Sequence, residues 1–125
     1  MELKIYYCKH CHNVVLVLND GGVAPICCGE KMTLLTANTV EASLEKHIPV
    51  VHLENDTLTV QVGSVLHPMV EEHYITFILV ETTKKHLIHY LKPNDEPKAT
   101  FNVKGETVKA VYAACNLHGL WKTEL

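Results

Sequence analysis

The chain has 125 residues, 47% apolar and 20% charged, and its eleven lysines against fourteen acidic residues give a net charge of −3. That composition suffices for a packed core in one ordinary domain, or in a very small domain joined to a modest one, and argues against disorder. It leaves no electrostatic footprint for nucleic acid, and no apolar run approaches the roughly 18 residues a membrane span needs.

The start "MELKIYYC" lacks the apolar centre of a signal peptide, so a soluble, cytoplasmic protein is expected. In that reducing compartment the five cysteines read as metal ligands or reactive thiols rather than disulfides. In chain order, residues 5–7 and 14–18 ("VVLVL") read as short strands around "CKHC", and "NDGG" is a turn. "PICCGEKM" makes a second tight loop, in which Gly29 can take positive φ. The first stretch is therefore two knuckles holding four thiols, too small to bury a stable core without a metal.

From about residue 37 the pattern changes. "EASLEKH" gives one short helical turn before Pro49, and "LTVQVG" (58–63) alternates as a half-buried strand does. "YITFILVE" (74–81) is apolar on both faces, which predicts a central strand or one covered by a partner chain. "HLIHYL", "ATFNV" and "TVKAVYAAC" add strands between turns, and no long helix is predicted. The expected architecture is all-β, with a β-sandwich after the knuckles.

Cys8, Cys11, Cys27 and Cys28 have the spacing C-x2-C-x15-C-C. Two knuckles converging their thiolates build a tetrahedron suited to zinc or iron. Adjacent Cys27 and Cys28 can share one ion only if the backbone twists there. His10 and His12 flank the knuckle and are expected to face solvent. Further on, "EKHIP" presents His47, "HPMVEEH" presents His67 and His73 about a loop, and "CNLHG" puts Cys115 at a strand end with His118 in the next loop. Loops at one end of a sandwich cluster, so these residues can meet. His86 and His89 read as surface residues, and His52 is excluded with them.

These motifs together resemble the desulfoferrodoxins, the two-iron class of superoxide reductases, in order and over nearly the whole chain. The resemblance implies a desulforedoxin-like, rubredoxin-like domain over residues 1–36 and an immunoglobulin-like sandwich over 37–125. In it Cys8, Cys11, Cys27 and Cys28 would hold an Fe(Cys)4 centre. A second iron would take His47, His67, His73 and His118 as equatorial ligands and Cys115 as its axial ligand, leaving the sixth position open. The implied reaction is O2•− + e− + 2H+ → H2O2, with a donor such as rubredoxin restoring Fe(II). Lys46 would extend over the open face, and Glu45 would close onto ferric iron after turnover. A homodimer is expected from the family's habit, the doubly apolar strand and the undersized first domain.

The chemistry is consistent with this reading. Four neutral imidazoles and one thiolate leave Fe2+ with net positive charge, which favours an anionic substrate. The competing readings are a non-catalytic zinc-binding module, with Cys115 a small buried hydrophobe, and an electron-transfer module of blue-copper type.

Overall fold

The computed structural model describes residues 2–40 and 42–125. The chain forms two compact units, one ending at Thr36 and the other beginning at Ala37. In the first, β1 (Ile5–Tyr7) lies between β2 (Val14–Leu16) and β5 (Thr33–Leu34) in an antiparallel sheet. A separate hairpin pairs β3 (Ile26–Cys27) with β4 (Glu30–Lys31). A small buried cluster here joins Tyr6, Cys8 and Met32, with Val17, Ala24 and Cys27 packed against it, and Ile5 of β1 is buried as well. Such a core is too small to hold a fold without a covalent or metal staple.

Among the described residues, the second unit carries one helical turn, α1 (Leu44–His47), and seven strands. One antiparallel sheet has the order β10-β7-β6, from Lys98–Asn102, Thr57–Val62 and Pro49–Glu54. The other has the order β12-β11-β8-β9, from Gly119–Glu124, Val108–Cys115, Ile75–Thr82 and His86–Tyr90. Leu58, Val60 and Val62 of β7 pack with Ile78, Val80, Val111 and Ala113 of the second sheet in one core. This is an immunoglobulin-like sandwich.

The alternation in "LTVQV" is realised in β7, where Leu58, Val60 and Val62 are fully buried. The doubly apolar β8 is central, paired with β11 and β9. Leu79, off the sandwich core, is 1% exposed.

Two strands of the sandwich were not legible in the sequence. β6 begins at Pro49, whose missing N–H is harmless at the first residue of an edge strand. It buries little of "VVHLE", so it shows no clean alternation. β12 begins immediately after the "CNLH" loop, on Gly119 at φ +77, a conformation that closes the short β11–β12 connection. Among the described residues, no helix is long and apolar enough to cross a membrane.

Candidate metal centres

The four thiols of the first unit converge. Cys11 Sγ lies 3.5 Å from Cys27 Sγ, and Cys27 Sγ lies 4.0 Å from Cys28 Sγ. A tetrahedral ion held at the zinc–thiolate distance would set sulfur–sulfur edges of about 3.8 Å. The adjacent pair is brought together by the backbone twist it requires. Cys28 has φ +53 and Gly29 φ +75, and the two form the turn between Cys27 and Glu30. Successive positive φ values match the type I′ hairpin, where Gly is at ease and Cys is not.

The N-terminal knuckle closes through His12 N–H donating to the Cys8 carbonyl and Cys8 N–H to the Asn13 carbonyl, both at 2.9 Å. The Cys11 backbone N–H, donating to Cys8 Sγ at 3.5 Å, draws the Cys8 thiol down to about 6. Side-chain hydrogen bonds with Cys11 and then Cys8 push Cys28 up to about 12, because the crowded sulfurs without a cation must share a proton. A cation removes that conflict by taking all four as thiolates. His10 and His12 stay outside the cluster, on Glu30 and Tyr7 respectively.

In the second unit, His47 ends α1, and His67 follows β7 in a turn closed by its N–H to the Val62 carbonyl. His73 forms a bridge with Val70 just before β8, Cys115 ends β11, and His118 lies in the β11–β12 loop. The four imidazoles form a ring. Neighbouring centroids are 4.6 Å apart for His47–His67 and His67–His73, and 5.0 Å for His73–His118 and His47–His118. Each neighbouring pair is near perpendicular, whereas His47 and His73 across the ring are 6.2 Å apart and tilted by 32°. The donor atoms of His47, His67, His73 and Cys115 all lie within 4.8 Å of one another. His118 joins through Nδ1, which is 3.2 Å from His47 Nε2 and 3.9 Å from Cys115 Sγ.

Hydrogen bonding shows which nitrogens face the centre. His47 Nδ1–H donates to the Ser43 carbonyl at 2.6 Å, and His67 Nδ1–H donates to the Pro68 carbonyl at 2.7 Å. Both Nε2 atoms therefore present lone pairs, and they face each other at 3.2 Å. His73 Nε2 is buried with no hydrogen-bond partner. Opposed lone pairs and an orphaned buried nitrogen call for a cation among them.

Burial, reinforced by the neighbouring rings, pushes all three imidazoles toward neutrality, His67 down to about 4. Neutral imidazole is the form that binds metal. Burial pushes the Cys115 thiol up, opposed by the Leu117 and His118 backbone N–H groups.

All nine residues singled out in the sequence as ligands thus fall into two donor sets. Four imidazoles converge beside Cys115, more than the two of a blue-copper site, so that alternative is not favoured. A zinc module confined to the knuckles leaves this second set unexplained. Glu45 and Lys46 are exposed on α1. The Lys46 charge acts on His47 and His73, while the Glu45 backbone carbonyl accepts from Val65 N–H at 3.0 Å. His52 and His89 are exposed and His86 is half-buried, each apart from the ring.

Two supporting residues had no readable signal. Trp121, fully buried, has its ring 4.8 Å from His47 and donates from Nε1 to the His118 carbonyl at 3.0 Å. Gly63 gives way to α1: a Cβ there would lie 2.6 Å from the Lys46 carbonyl carbon and overlap the Glu45 carbonyl oxygen.

An all-β chain pairing a four-thiolate knuckle with a four-imidazole, one-thiolate site in an immunoglobulin-like sandwich defines a two-metal class of protein. Comparison with known proteins agrees. The desulfoferrodoxin family matches residues 39–124, and the desulfoferrodoxin N-terminal domain matches residues 1–35. The chain is 45% identical to the desulfoferrodoxin of Syntrophotalea carbinolica, covering 98% of this chain and 97% of that one. It is 43% identical to a desulfoferrodoxin homolog of Archaeoglobus fulgidus, with 97% and 96% covered. The superoxide reductase of Treponema pallidum superposes with a TM-score of 0.83 at 33% identity, over 99% of this chain and all of that one. The chain belongs to the desulfoferrodoxin family, and its two donor sets match the two-iron class.

Proposed function

We propose that the chain is a superoxide reductase, O2•− + e− + 2H+ → H2O2, with its chemistry at the histidine–cysteine site. The observation that carries this reading is the ring of four imidazoles with Cys115 beside it. His47, His67 and His73 through Nε2, His118 through Nδ1 and Cys115 through Sγ would hold the iron. Iron held there would supply the electron for superoxide.

The residues set the electrostatics. Neutral imidazoles add no charge and Cys115 adds one negative charge, so the ferrous centre keeps a net positive charge that attracts an anion. Lys46 adds a second cation beside the ring and draws superoxide toward it. Glu45, on the same turn, offers a hard carboxylate oxygen suited to the ferric state between turnovers. Trp121 and the core behind the ring exclude water from one side, leaving protons to arrive from solvent at the other.

Residues 1–36 act as the desulforedoxin-like Fe(Cys)4 domain and residues 37–125 as the catalytic domain. The electron comes from a small redox protein such as rubredoxin. Five free thiols suit a reducing cytoplasm, to which we assign the protein. Leu18, Val23 and Ile26, all strongly exposed on the small unit, favour a homodimer.

The test is iron per chain and the oxidised visible spectrum of the parent and of Cys115→Ser. Two irons, with one thiolate-to-iron band lost in the variant and the other retained, support the assignment. One zinc, no colour and no effect of the substitution refute it.

A further inference from the structure

The imidazoles of the ring are not all held in the same way. His47 and His67 are oriented by their Nδ1–H bonds to the Ser43 and Pro68 carbonyls. The His73 ring has no hydrogen bond among the described residues, and its Nε2 is buried without a partner. A metal ligand ordinarily uses its second nitrogen to fix ring and tautomer. His73 is held instead through its backbone, by the paired bonds with Val70 at 3.0 and 3.1 Å and by Asn116.

Asn116 follows Cys115 at the point where the β11–β8 ladder slips, with Ala114 opposite Phe77 but Cys115 opposite Ile75. Beyond that slip its side chain takes over from the ladder. Its Nδ2 donates to the Glu72 carbonyl at 3.0 Å, and its Oδ1 accepts from Tyr74 N–H at 2.9 Å. Its own backbone N–H donates to the Tyr74 carbonyl at 3.2 Å. The three bonds straddle His73, grasping the residue before it and the residue after it. A carboxamide, with donor and acceptor in one plane, can make both side-chain bonds at once.

We propose that Asn116 is a positioning residue: it locks the His73 segment to the Cys115–His118 loop and so sets the His73 imidazole relative to the thiolate and to the other three rings. This rests on the reading of the ring and Cys115 as an iron site. Loss of the clamp leaves every ligand in place but loosens the geometry in which they bind.

The test compares Asn116→Ala and Asn116→Asp with the parent by anaerobic Fe2+ titration of the full chain. Each loaded protein is then oxidised to record its ferric–thiolate band and electron paramagnetic resonance, with the four-cysteine band as an internal reference. Asn116→Asp keeps the acceptor for Tyr74 N–H and sets a carboxylate against the Glu72 carbonyl. Asn38→Ala is the control, because it also removes a side-chain pair, to Lys122 N–H at 2.8 Å and the Lys122 carbonyl at 3.1 Å on β12. We expect Asn116→Ala to lose about 10- to 100-fold in iron affinity at the histidine–cysteine site and to shift its band and resonance. Asn116→Asp should fall between, while Asn38→Ala lowers the thermal midpoint and moves neither. Parent-like affinity and spectrum in Asn116→Ala, or in Asn116→Asp where the alanine variant does not fold, overturn the proposal. An equal spectral shift in Asn38→Ala also overturns it. A parent without iron at this site overturns the functional reading as well, so the two failures are distinguishable.

Discussion

Lys46 and His67 occupy opposite electrostatic roles at the same site. Lys46 is exposed and free to act at a distance, so Lys46→Ala should keep both irons and slow superoxide reduction by up to about tenfold at low ionic strength. Rapid-mixing rates at several salt concentrations check this; an unchanged low-salt rate removes Lys46 from the mechanism. His67 is buried and neutral, its folded pKa lowered from 6.5 to about 4. The unfolded chain takes up that proton first, so stability of the metal-free sandwich is full above pH 6.5 and is lost as pH falls toward 4. The order of the loss is about 3 kcal/mol, read as a falling urea midpoint between pH 7 and pH 4. A flat profile contradicts the buried neutral state. At this scale the donor residues were legible, because all nine stand in a few short motifs. The tautomers were not, since they depend on which carbonyls, Ser43 and Pro68, the fold brings to each ring. The adjacent cysteines posed the need for a twist, and only the fold shows it as positive φ at Cys28.

At the scale of elements, the site depends on α1 lying against the end of β7. Gly63, the residue after β7, leaves no room for a Cβ beside Glu45 and Lys46. Gly63→Ala should displace α1, cost about 1–3 kcal/mol, and lower iron at the histidine–cysteine site while the four-cysteine band is kept. Metal analysis with denaturant melts checks both; parent-like iron and stability would mean that the turn yields freely. Strands β7, β8 and β11 were legible because their apolar residues are many or alternate cleanly. β6 and β12 were hidden for physical reasons, both edge strands, one opening on proline and the other mixed in burial. Gly63 carried no signal, because close backbone approach leaves no trace in sequence.

Over the whole molecule, the two units differ in what holds them. The second has a core running through both of its sheets, whereas among the described residues the first buries little beyond Ile5, Tyr6, Cys8 and Met32. Removing metal with a chelator should therefore unfold residues 1–36 and open them to proteolysis, while the sandwich keeps its strands. Hydrogen exchange read by segment checks this, and a protected first unit after metal removal contradicts it. The overall plan, knuckles followed by a sandwich, was legible because thiol spacing and strand periodicity are local signals. The convergence of His47, His67, His73, Cys115 and His118 is not local, and became visible in sequence only through the family's combination of motifs.

The central claim is that the histidine–cysteine site reduces superoxide rather than dismutating it. The most direct measurement is the yield of peroxide and oxygen when the reduced protein, supplied with an electron donor, consumes a known dose of superoxide. The account predicts one peroxide for each superoxide and no oxygen evolved. Half that peroxide, with oxygen released in equal amount, would mean dismutation, and superoxide decay no faster than in buffer would mean that the site is not an enzyme.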